Sequence, residues 1–420
     1  MSLIISLSAL LLSVIFIQVG SGSLGPLDAL AGQSNGFTAG QIGLLGSSHF
    51  LGLLIGCFIY PHLIRRSGHV RIFAMTASIS AISALLHPLF IDVFFWCMLR
   101  VMTGFSIAGA YTIIESWLQA KLTNDNRGRV FGIYRVVDMS GVVLAQGVIA
   151  MLDPATYAAY NIIAVVACLS LMPLALTRSV PPELPATLRF KPFFALRLSP
   201  LAGLGVISAG MTNASFRMVG PVYAIETGLE ATDIAIFLVL GVVGGAFIQV
   251  PAGYITDRFN RRFVLIGFSM AAIIVCLITG SLSFLGLQTV MVGFLMAFLF
   301  GAATMPIYSI CATHANDFAK IDELVELSAS LILLFSIGAI LSPVLCGYLI
   351  ENFNAGAMFL FIASVHIVLV TYSVWRMGIR PALNMSSYRY IPRTSVFINF
   401  ILRERGNAHP ENTDPEKANS

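Results

Sequence analysis

The hydrophobic pattern of the chain consists of apolar runs of about 20 residues, the length that crosses a bilayer as a helix, separated by short polar segments. Six runs precede a polar stretch rich in proline, and six follow it. The pattern predicts an all-α integral membrane protein with about twelve spans. They lie near 4–27, 40–62, 71–91, 93–119, 130–151, 156–177, 200–226, 233–256, 262–281, 286–314, 324–350 and 355–376.

Composition supports a membrane protein. Hydrophobic residues make up 57% of the 420 residues, charged residues 10%, and the mean hydropathy is +0.87, whereas soluble domains carry about 25% charged residues. The six cysteines lie in apolar runs without metal-ligand spacing, so we expect no metal site and no cofactor. The first apolar run lacks a basic flank and a cleavage site, which indicates a first span and not a signal peptide.

Basic residues fix the predicted orientation. Of the 24 lysines and arginines, 21 fall in alternate loops or in the tail, and basic loops stay on the cytoplasmic side. We therefore expect a multi-pass protein of the bacterial inner membrane with both termini cytoplasmic. The predicted units are a six-helix bundle over 1–177, a cytoplasmic linker over 178–199, a second bundle over 200–376 and a largely disordered cytoplasmic tail over 377–420.

The loop after the eighth span carries the most specific motif. It reads Gly253-Tyr-Ile-Thr-Asp257-Arg258-Phe-Asn-Arg261-Arg262 and resembles the GxxxDRxGRR signature of the major facilitator superfamily. The equivalent loop of the first half keeps Arg66, Gly68 and Arg71 but has Arg65 where the signature has aspartate. Two such loops about 190 residues apart are typical of a repeated half.

Other segments match the same superfamily. Arg100-Val-Met-Thr-Gly104 is similar to its RxxxG element. Four further segments resemble its YcaD-like branch, whose substrate is unassigned. They are Glu115-Ser-Trp-Leu, the Arg66-Ser-Gly-His loop, Tyr308 with His314-Ala-Asn-Asp, and Ile391-Pro-Arg-Thr-Ser. The GxxxGPxxGG antiporter signature of many drug exporters is missing from the fifth span, which reads Gly141-Val-Val-Leu-Ala-Gln-Gly.

The resemblance implies the major facilitator fold, two pseudo-symmetric six-helix bundles with the substrate between them. It also implies alternating access, with a cytoplasmic latch that breaks and reforms. The latch candidates are Gly253, Asp257, Arg258, Arg261, Arg262, Arg66, Gly68 and Arg71.

Three arginines fall inside predicted spans, where a charge costs at least a few kcal/mol. One of them, Arg135, lies about 9 Å from the cytoplasmic end of span 5 at 1.5 Å per residue. Glu115 lies at the same depth in span 4, and Asp138 follows Arg135 on the same face. These three residues are predicted to form a cluster, which is either a structural ion network or a proton-coupling site with Glu115 or Asp138 as the titrating acid.

The other two, Arg100 and Arg217, lie about 12 to 14 Å from the outer face by the same measure. In the fold that the resemblance implies they line one cavity from opposite halves, where two guanidinium groups suit a carboxylate, sulfonate or phosphate. An alternative for Arg100 is a structural arginine bonded to Gln18 or to span 1 carbonyls. The remaining substrate-binding candidates are Asn213, one turn before Arg217, with Gln18, His49, Tyr308 and Gln249.

The leading functional expectation is secondary active transport of a small organic anion or zwitterion, with possible proton coupling, by a monomer that binds no nucleic acid. Two alternatives stay open, efflux of amphipathic drugs or metabolites and a receptor or assembly factor that moves no solute. We expect no enzyme activity, since HExxH, GxSxG and P-loop motifs do not occur.

Overall fold

The computed structural model describes residues 2–120, 127–152, 156–175, 191–320 and 323–379. Within these ranges the chain is helical, with short turns, and we number the long helical segments as spans 1 to 12 in chain order. Spans 1 to 6 are Ser2–Ser34, Ala39–Ser67, His69–Leu86, Val93–Ala120, Arg127–Met151 and Tyr157–Leu169 with Leu171–Ala175. Spans 7 to 12 are Pro200–Glu226, Ala231–Arg258, Arg261–Phe284, Val290–Thr304 with Pro306–Asn316, Leu324–Asn352 and Ala357–Ile379.

The helices follow the predicted apolar runs closely, with a few differences in where they end or are interrupted. Span 1 continues past the predicted end at 27 to Ser34, and this added part carries the buried carboxyl of Asp28. Spans 6 and 10 are each interrupted, span 10 at Met305 before Pro306. Proline has no backbone N–H to donate, so a break beside it is expected.

Ten helices in the described ranges are long and apolar enough to cross a membrane. The two long helices outside this group are span 5, whose apolar part is only Val136–Met151, and span 7. Span 7 carries a run of buried hydroxyl residues and Arg217. Such a helix is accommodated in a membrane when its polar side chains face other helices or water.

The repeat of the two halves is visible in how the helices cross. A Cβ at Gly52 would overlap the Val101 carbonyl, and one at Gly104 would overlap that of His49, so spans 2 and 4 touch at their backbones. Spans 8 and 10 make the same crossing with Gly244 against Phe298 and Gly301 against Gly241. Small residues permit this close approach, which drives helix association in membranes.

The two bundles meet tightly at one end, which we name the closed end and define by Gln33, Gly40, Glu226 and Glu351. The Gln33 side chain donates to Glu226 Oε1 over 3.1 Å, and the Gly40 N–H donates to Glu351 Oε2 over 3.0 Å. One turn deeper, Gly43 packs against the Pro343 carbonyl. The opposite end carries the two signature loops.

The last part of the predicted linker is attached to the second bundle. A short helix, Phe194–Leu198, packs in the same core cluster as spans 7 and 11. The buried Ser330 hydroxyl accepts from the Ala195 N–H and donates to the Pro192 carbonyl, and Lys191 pairs with Glu326 at 2.6 Å. The predicted tail lies almost entirely outside the described residues.

Candidate transport site

Arg217 is the exposed position in a buried stretch of span 7. Its neighbours from Ala214 to Gly220 are all buried, and no hydrogen bond or ion pair joins Arg217 to another residue in the described ranges. Its charge interacts with His49, Arg100 and Tyr111, all in the first bundle. The exposed guanidinium group is therefore near the interface with the first bundle.

The other predicted substrate contacts each have a partner within their own bundle. Asn213 is half-buried and donates to the Ala209 carbonyl within span 7, while Gln249 donates to Ser309 over 3.3 Å. Tyr308 packs edge-on against Phe335. His49 is buried, and its Nδ1 lies 3.4 Å from the Thr103 hydroxyl.

Arg100 is held differently from Arg217. It is 1% exposed, and its Nε lies 3.6 Å from Asp28 Oδ2. Its Nη2 lies 3.3 Å from the sulfur of Met218 in span 7. Arg100 thus joins a carboxylate of its own bundle to a helix of the other bundle.

Asp28 is the centre of a buried polar cluster. Its Oδ1 accepts from the Tyr160 hydroxyl over 2.9 Å, and its Oδ2 lies 3.4 Å from His87 Nε2. The His87 ring stacks on the Tyr160 ring. We name these four residues, Asp28, His87, Arg100 and Tyr160, the Asp28 cluster.

The structural alternative for Arg100 named Gln18 or the span 1 carbonyls as its partner, and the structure shows a different one. Asp28 is its partner, and Gln18 is not, because the Gln18 amide donates to Asp138 Oδ1 over 2.6 Å. Sequence spacing gives the depth of a residue along its helix but not the direction in which its side chain points. The spacing therefore could not decide whether Asp28 or Gln18 is the partner of Arg100.

Of the predicted cluster of Glu115, Arg135 and Asp138, the structure describes the side chains of Glu115 and Asp138. Asp138 is buried and accepts from Gln18 and from the Tyr111 hydroxyl at 3.0 Å. Glu115 is exposed and accepts from the Tyr134 hydroxyl at 3.4 Å. The side chain of Arg135 lies outside the described residues, so its place in the cluster stays a prediction.

Comparison with known proteins decides the family. The profile of the Major Facilitator Superfamily matches residues 10–323 and 202–401, which together span most of the chain. The chain belongs to the Major Facilitator Superfamily.

The superfamily assignment agrees with individual relatives. The uncharacterized MFS-type transporter YcaD of Escherichia fergusonii is 27% identical over 330 residues, 78% of this chain and 84% of that protein. The YcaD-like resemblance predicted from the sequence is therefore confirmed.

Solved structures show the same fold. The nucleoside transporter NupG aligns with a TM-score of 0.71 at 14% identity, over 89% of this chain and 99% of that one. A bacterial homologue of the human lysosomal transporter Spinster, in an inward-facing and occupied conformation, aligns with a TM-score of 0.68 at 16% identity, over 93% and 98%. The fold of this protein is thus that of the facilitator superfamily.

The fuller copy of the superfamily signature lies between spans 8 and 9, with Asn260 in place of its second glycine. Arg261 forms an ion pair with Asp317 and donates to the Thr313 carbonyl over 3.0 Å, which ties the start of span 9 to the end of span 10. Arg258 lies over the Tyr254 ring, 4.0 Å from its centroid. Gly253 and Arg262 are buried, while the role of Asp257 in the latch stays a prediction.

The incomplete signature of the first half lies in the equivalent loop, between spans 2 and 3, and makes different contacts. Gly68 adopts a φ of +84° and joins spans 2 and 3, a conformation that favours glycine. His69 takes the position of Arg261, stacks on Trp117 and lies 3.1 Å from the Ser116 hydroxyl. Arg66 and Arg71 are exposed at this end.

Sequence reasoning missed His87 and Tyr160. Tyr160 looked like an ordinary apolar residue, and His87 stood near the predicted end of span 3. A signal was present, because Asp28, His87 and Arg100 each lie a few residues from the loops at the closed end. Ionisable residues in or next to three different spans, all near the same end, indicate a buried polar cluster.

Proposed function

We propose that this protein is a secondary transporter that works by alternating access and moves a small organic anion or zwitterion. The observation that carries the proposal is Arg217, an exposed guanidinium group at the bundle interface of a chain with a facilitator fold. A cation within a span costs a few kcal/mol unless water or a counter-ion accompanies it. An anionic group of a substrate would be such a counter-ion.

The helix contacts favour one state of the transport cycle. The bundles are joined at Gln33, Gly40, Glu226 and Glu351, and the positive-inside bias of the loops assigns this end to the outside. The proposed state is therefore closed to the outside and open to the cytoplasm. In this proposal the bundles over 1–177 and 200–376 rock against each other as a monomer in the inner membrane, with both termini cytoplasmic.

The proposal is tested by ligand-dependent thermal stability of the purified protein. A ligand that binds only the folded state stabilises it by about 2.7 kcal/mol at 100 times its Kd. The probes are lactate and benzoate as anions, glycine and glutamate as amino acids, and ethidium as a cationic drug. We expect the anions or the amino acids to raise the Tm, and counterflow in proteoliposomes then tests whether the stabilising compound is transported.

Two matched variants decide whether Arg217 is responsible. Arg217→Gln removes the charge that faces the bundle interface, whereas Arg197→Gln removes an exposed charge of the linker. We expect the Kd of the stabilising compound to rise at least about tenfold in the first variant, which corresponds to about 1.4 kcal/mol, and to stay unchanged in the second. Stabilisation by ethidium that survives Arg217→Gln would instead support the efflux alternative.

A further inference from the structure

Arg217 and Asp138 lie at matching depths in the two bundles. Arg217 precedes Glu226, the last residue of span 7 at the closed end, by nine residues, and Asp138 follows Arg129 of the opposite, basic end by nine. At 1.5 Å per residue, both lie about 14 Å from opposite faces of a hydrocarbon core that is about 30 Å thick. Both residues therefore belong to the middle of the membrane, where transporters built from repeats bind their substrates.

Span 1 packs against both span 5 and span 7 and so connects the helices that carry these two residues. A Cβ at Gly141 of span 5 would lie 2.6 Å from the Cβ of Gln18, and a Cβ at Gly25 would lie 3.4 Å from the sulfur of Met218 in span 7. Gln18 and Gly25 are about 10 Å apart along the axis of span 1. Span 1 thus links the helix of the carboxylate to the helix of the guanidinium group.

The carboxyl group of Asp138 is oriented by two neutral donors. Gln18 Nε2 donates to its Oδ1 over 2.6 Å, and the Tyr111 hydroxyl donates to the same oxygen over 3.0 Å. A carboxylate has about four acceptor positions and a phenol oxygen can accept as well as donate, so Asp138 and Tyr111 can share a further donor. Tyr111 is half-buried, and the charge of Arg217 acts on it from the second bundle. An acidic group and a basic group from opposite bundles therefore flank one tyrosine.

The charges at the interface differ in sign between the bundles. Arg100 is 1% exposed and lies 3.6 Å from Asp28 Oδ2, whereas Arg217 is exposed and can offer its planar fork to a carboxylate. On the first-bundle side Glu115 is exposed, and its charge acts on Tyr308 of span 10. A simple anion would be attracted by Arg217 and repelled by the acids opposite, because like charges brought together suppress binding.

We infer that the substrate is a zwitterion whose carboxylate binds Arg217 and whose ammonium group binds Asp138 and Tyr111. This inference rests on the proposed function and deepens it, because it excludes simple anions as substrates. Each end of the ligand is held by a different bundle, so a molecule that lacks either charge binds more weakly. The ligand joins the two bundles as they close around it.

The test compares zwitterions with anions of the same carbon skeleton. The probes are glycine, β-alanine and γ-aminobutyrate, in which the two charges are progressively farther apart, and acetate, propionate and butyrate, which lack the ammonium group. Binding to the purified full-length protein is measured by the concentration dependence of its Tm, since a ligand of the folded state stabilises it. We expect one zwitterion to bind at least about tenfold more tightly than its matched anion.

Two matched variants test the role of the carboxylate. Asp138→Asn removes the charge that binds the ammonium group, whereas Asp92→Asn removes the charge of an exposed aspartate beside the start of span 4. We expect Asp138→Asn to raise the Kd of the preferred zwitterion at least about tenfold without weakening the binding of its anion, and Asp92→Asn to change neither.

Either of two results overturns the inference. One is a wild-type protein that binds the matched anion as tightly as the zwitterion, and the other is an unchanged Kd of the zwitterion in Asp138→Asn. The comparison of zwitterion with anion needs no variant, so it decides the question even if Asp138→Asn does not fold, as judged by its Tm.

The same measurements separate this inference from the proposed function. If lactate or benzoate binds through Arg217 and zwitterions bind no better than their matched anions, anion transport stands and the zwitterion site fails. If a zwitterion is preferred and its binding depends on both Asp138 and Arg217, but counterflow in proteoliposomes shows no transport, the zwitterion site stands and the proposed transport fails.

Discussion

At the scale of single residues, two arginines that look alike in sequence have different surroundings. Arg100 is enclosed between Asp28 and Met218, while Arg217 is exposed at the bundle interface. A buried cation is retained when a carboxylate compensates it, whereas an exposed one stays available to a ligand. We therefore assign ligand contact to Arg217 first and expect Arg100 to act through its ion pair with Asp28.

The Tyr160 hydroxyl provides a test of the Asp28 cluster at the level of stability. Tyr160→Phe removes a hydrogen bond of 2.9 Å to Asp28, and hydrogen bonds to charged groups contribute about 1.5 to 3 kcal/mol. We expect the free energy of unfolding to fall by about that amount. Thermal or denaturant unfolding of the purified protein measures it.

Tyr134→Phe is the control for that prediction. Its hydroxyl also donates to a carboxylate, but over 3.4 Å and to the exposed Glu115. Tyr134 is itself buried at 4% exposure, but its hydrogen bond is long and its acceptor is exposed to solvent, so we expect a smaller change, below about 1 kcal/mol. Equal losses in both variants would show that the Asp28 cluster contributes nothing special to stability.

At the scale of helices, glycine determines how closely two spans approach. Gly104 lies against the His49 carbonyl and Gly301 against that of Gly241, at equivalent crossings of the two halves. Gly104→Ala and Gly301→Ala should each destabilise the protein by about 1 to 3 kcal/mol, the usual cost of overpacking. The measurement is the Tm of each variant.

The control for the crossings is Gly267→Ala in span 9, where an added Cβ meets nothing within 4 Å. Alanine forms helices better than glycine by about 1 kcal/mol. We expect this variant to be as stable as the wild type or slightly more stable. A loss at Gly267 comparable to that at Gly104 would contradict the role of close helix contact.

The ion pair of Arg261 and Asp317 joins the ends of spans 9 and 10. The side chains are 13% and 17% exposed, whereas Lys191, in the pair with Glu326, is 55% exposed. A double-mutant cycle with Arg261→Gln and Asp317→Asn should give a coupling energy above about 1 kcal/mol, and a cycle with Lys191→Gln and Glu326→Gln a smaller one. A larger coupling at the exposed pair would be the contrary result.

At the scale of the whole molecule, the closed end defines the conformation. Gln33 and Glu226 are in contact across the bundles at that end, while Arg71 and Arg258 lie at the opposite end. Spin labels at 33 and 226 should be close together in the protein without ligand. Labels at 71 and 258 should be farther apart. Conditions that open the closed end should lengthen the distance between 33 and 226 and shorten the distance between 71 and 258.

Pulsed electron paramagnetic resonance measures the distances between labels at 33 and 226 and at 71 and 258. The labels are attached in a variant that lacks the six native cysteines. A label pair inside one bundle, at Arg71 and Asp92, is the control and should not change. Movement of the bundles as rigid bodies is the usual form of alternating access. A constant distance at 33 and 226 under all conditions would argue against it and would favour a receptor that does not transport.

The sequence by itself determined the class of the protein. Apolar runs of span length, the alternation of basic loops and the motif from Gly253 to Arg262 were sufficient to predict the helices and the superfamily. These features are local or periodic along the chain, because a bilayer imposes the same length and polarity on every span. Even the bounds of span 7, Pro200–Glu226, follow from the sequence alone.

Only the tertiary structure decided which polar side chains meet. Asp28 and Tyr160 are 132 residues apart, and Gln18 and Asp138 are 120 apart. Their pairing depends on the rotation of each helix about its axis and on which helices are neighbours. The hydropathy pattern specifies neither of these. Arg100 and Arg217 therefore read alike in sequence, and packing separated one that is enclosed by a carboxylate from one that faces the other bundle.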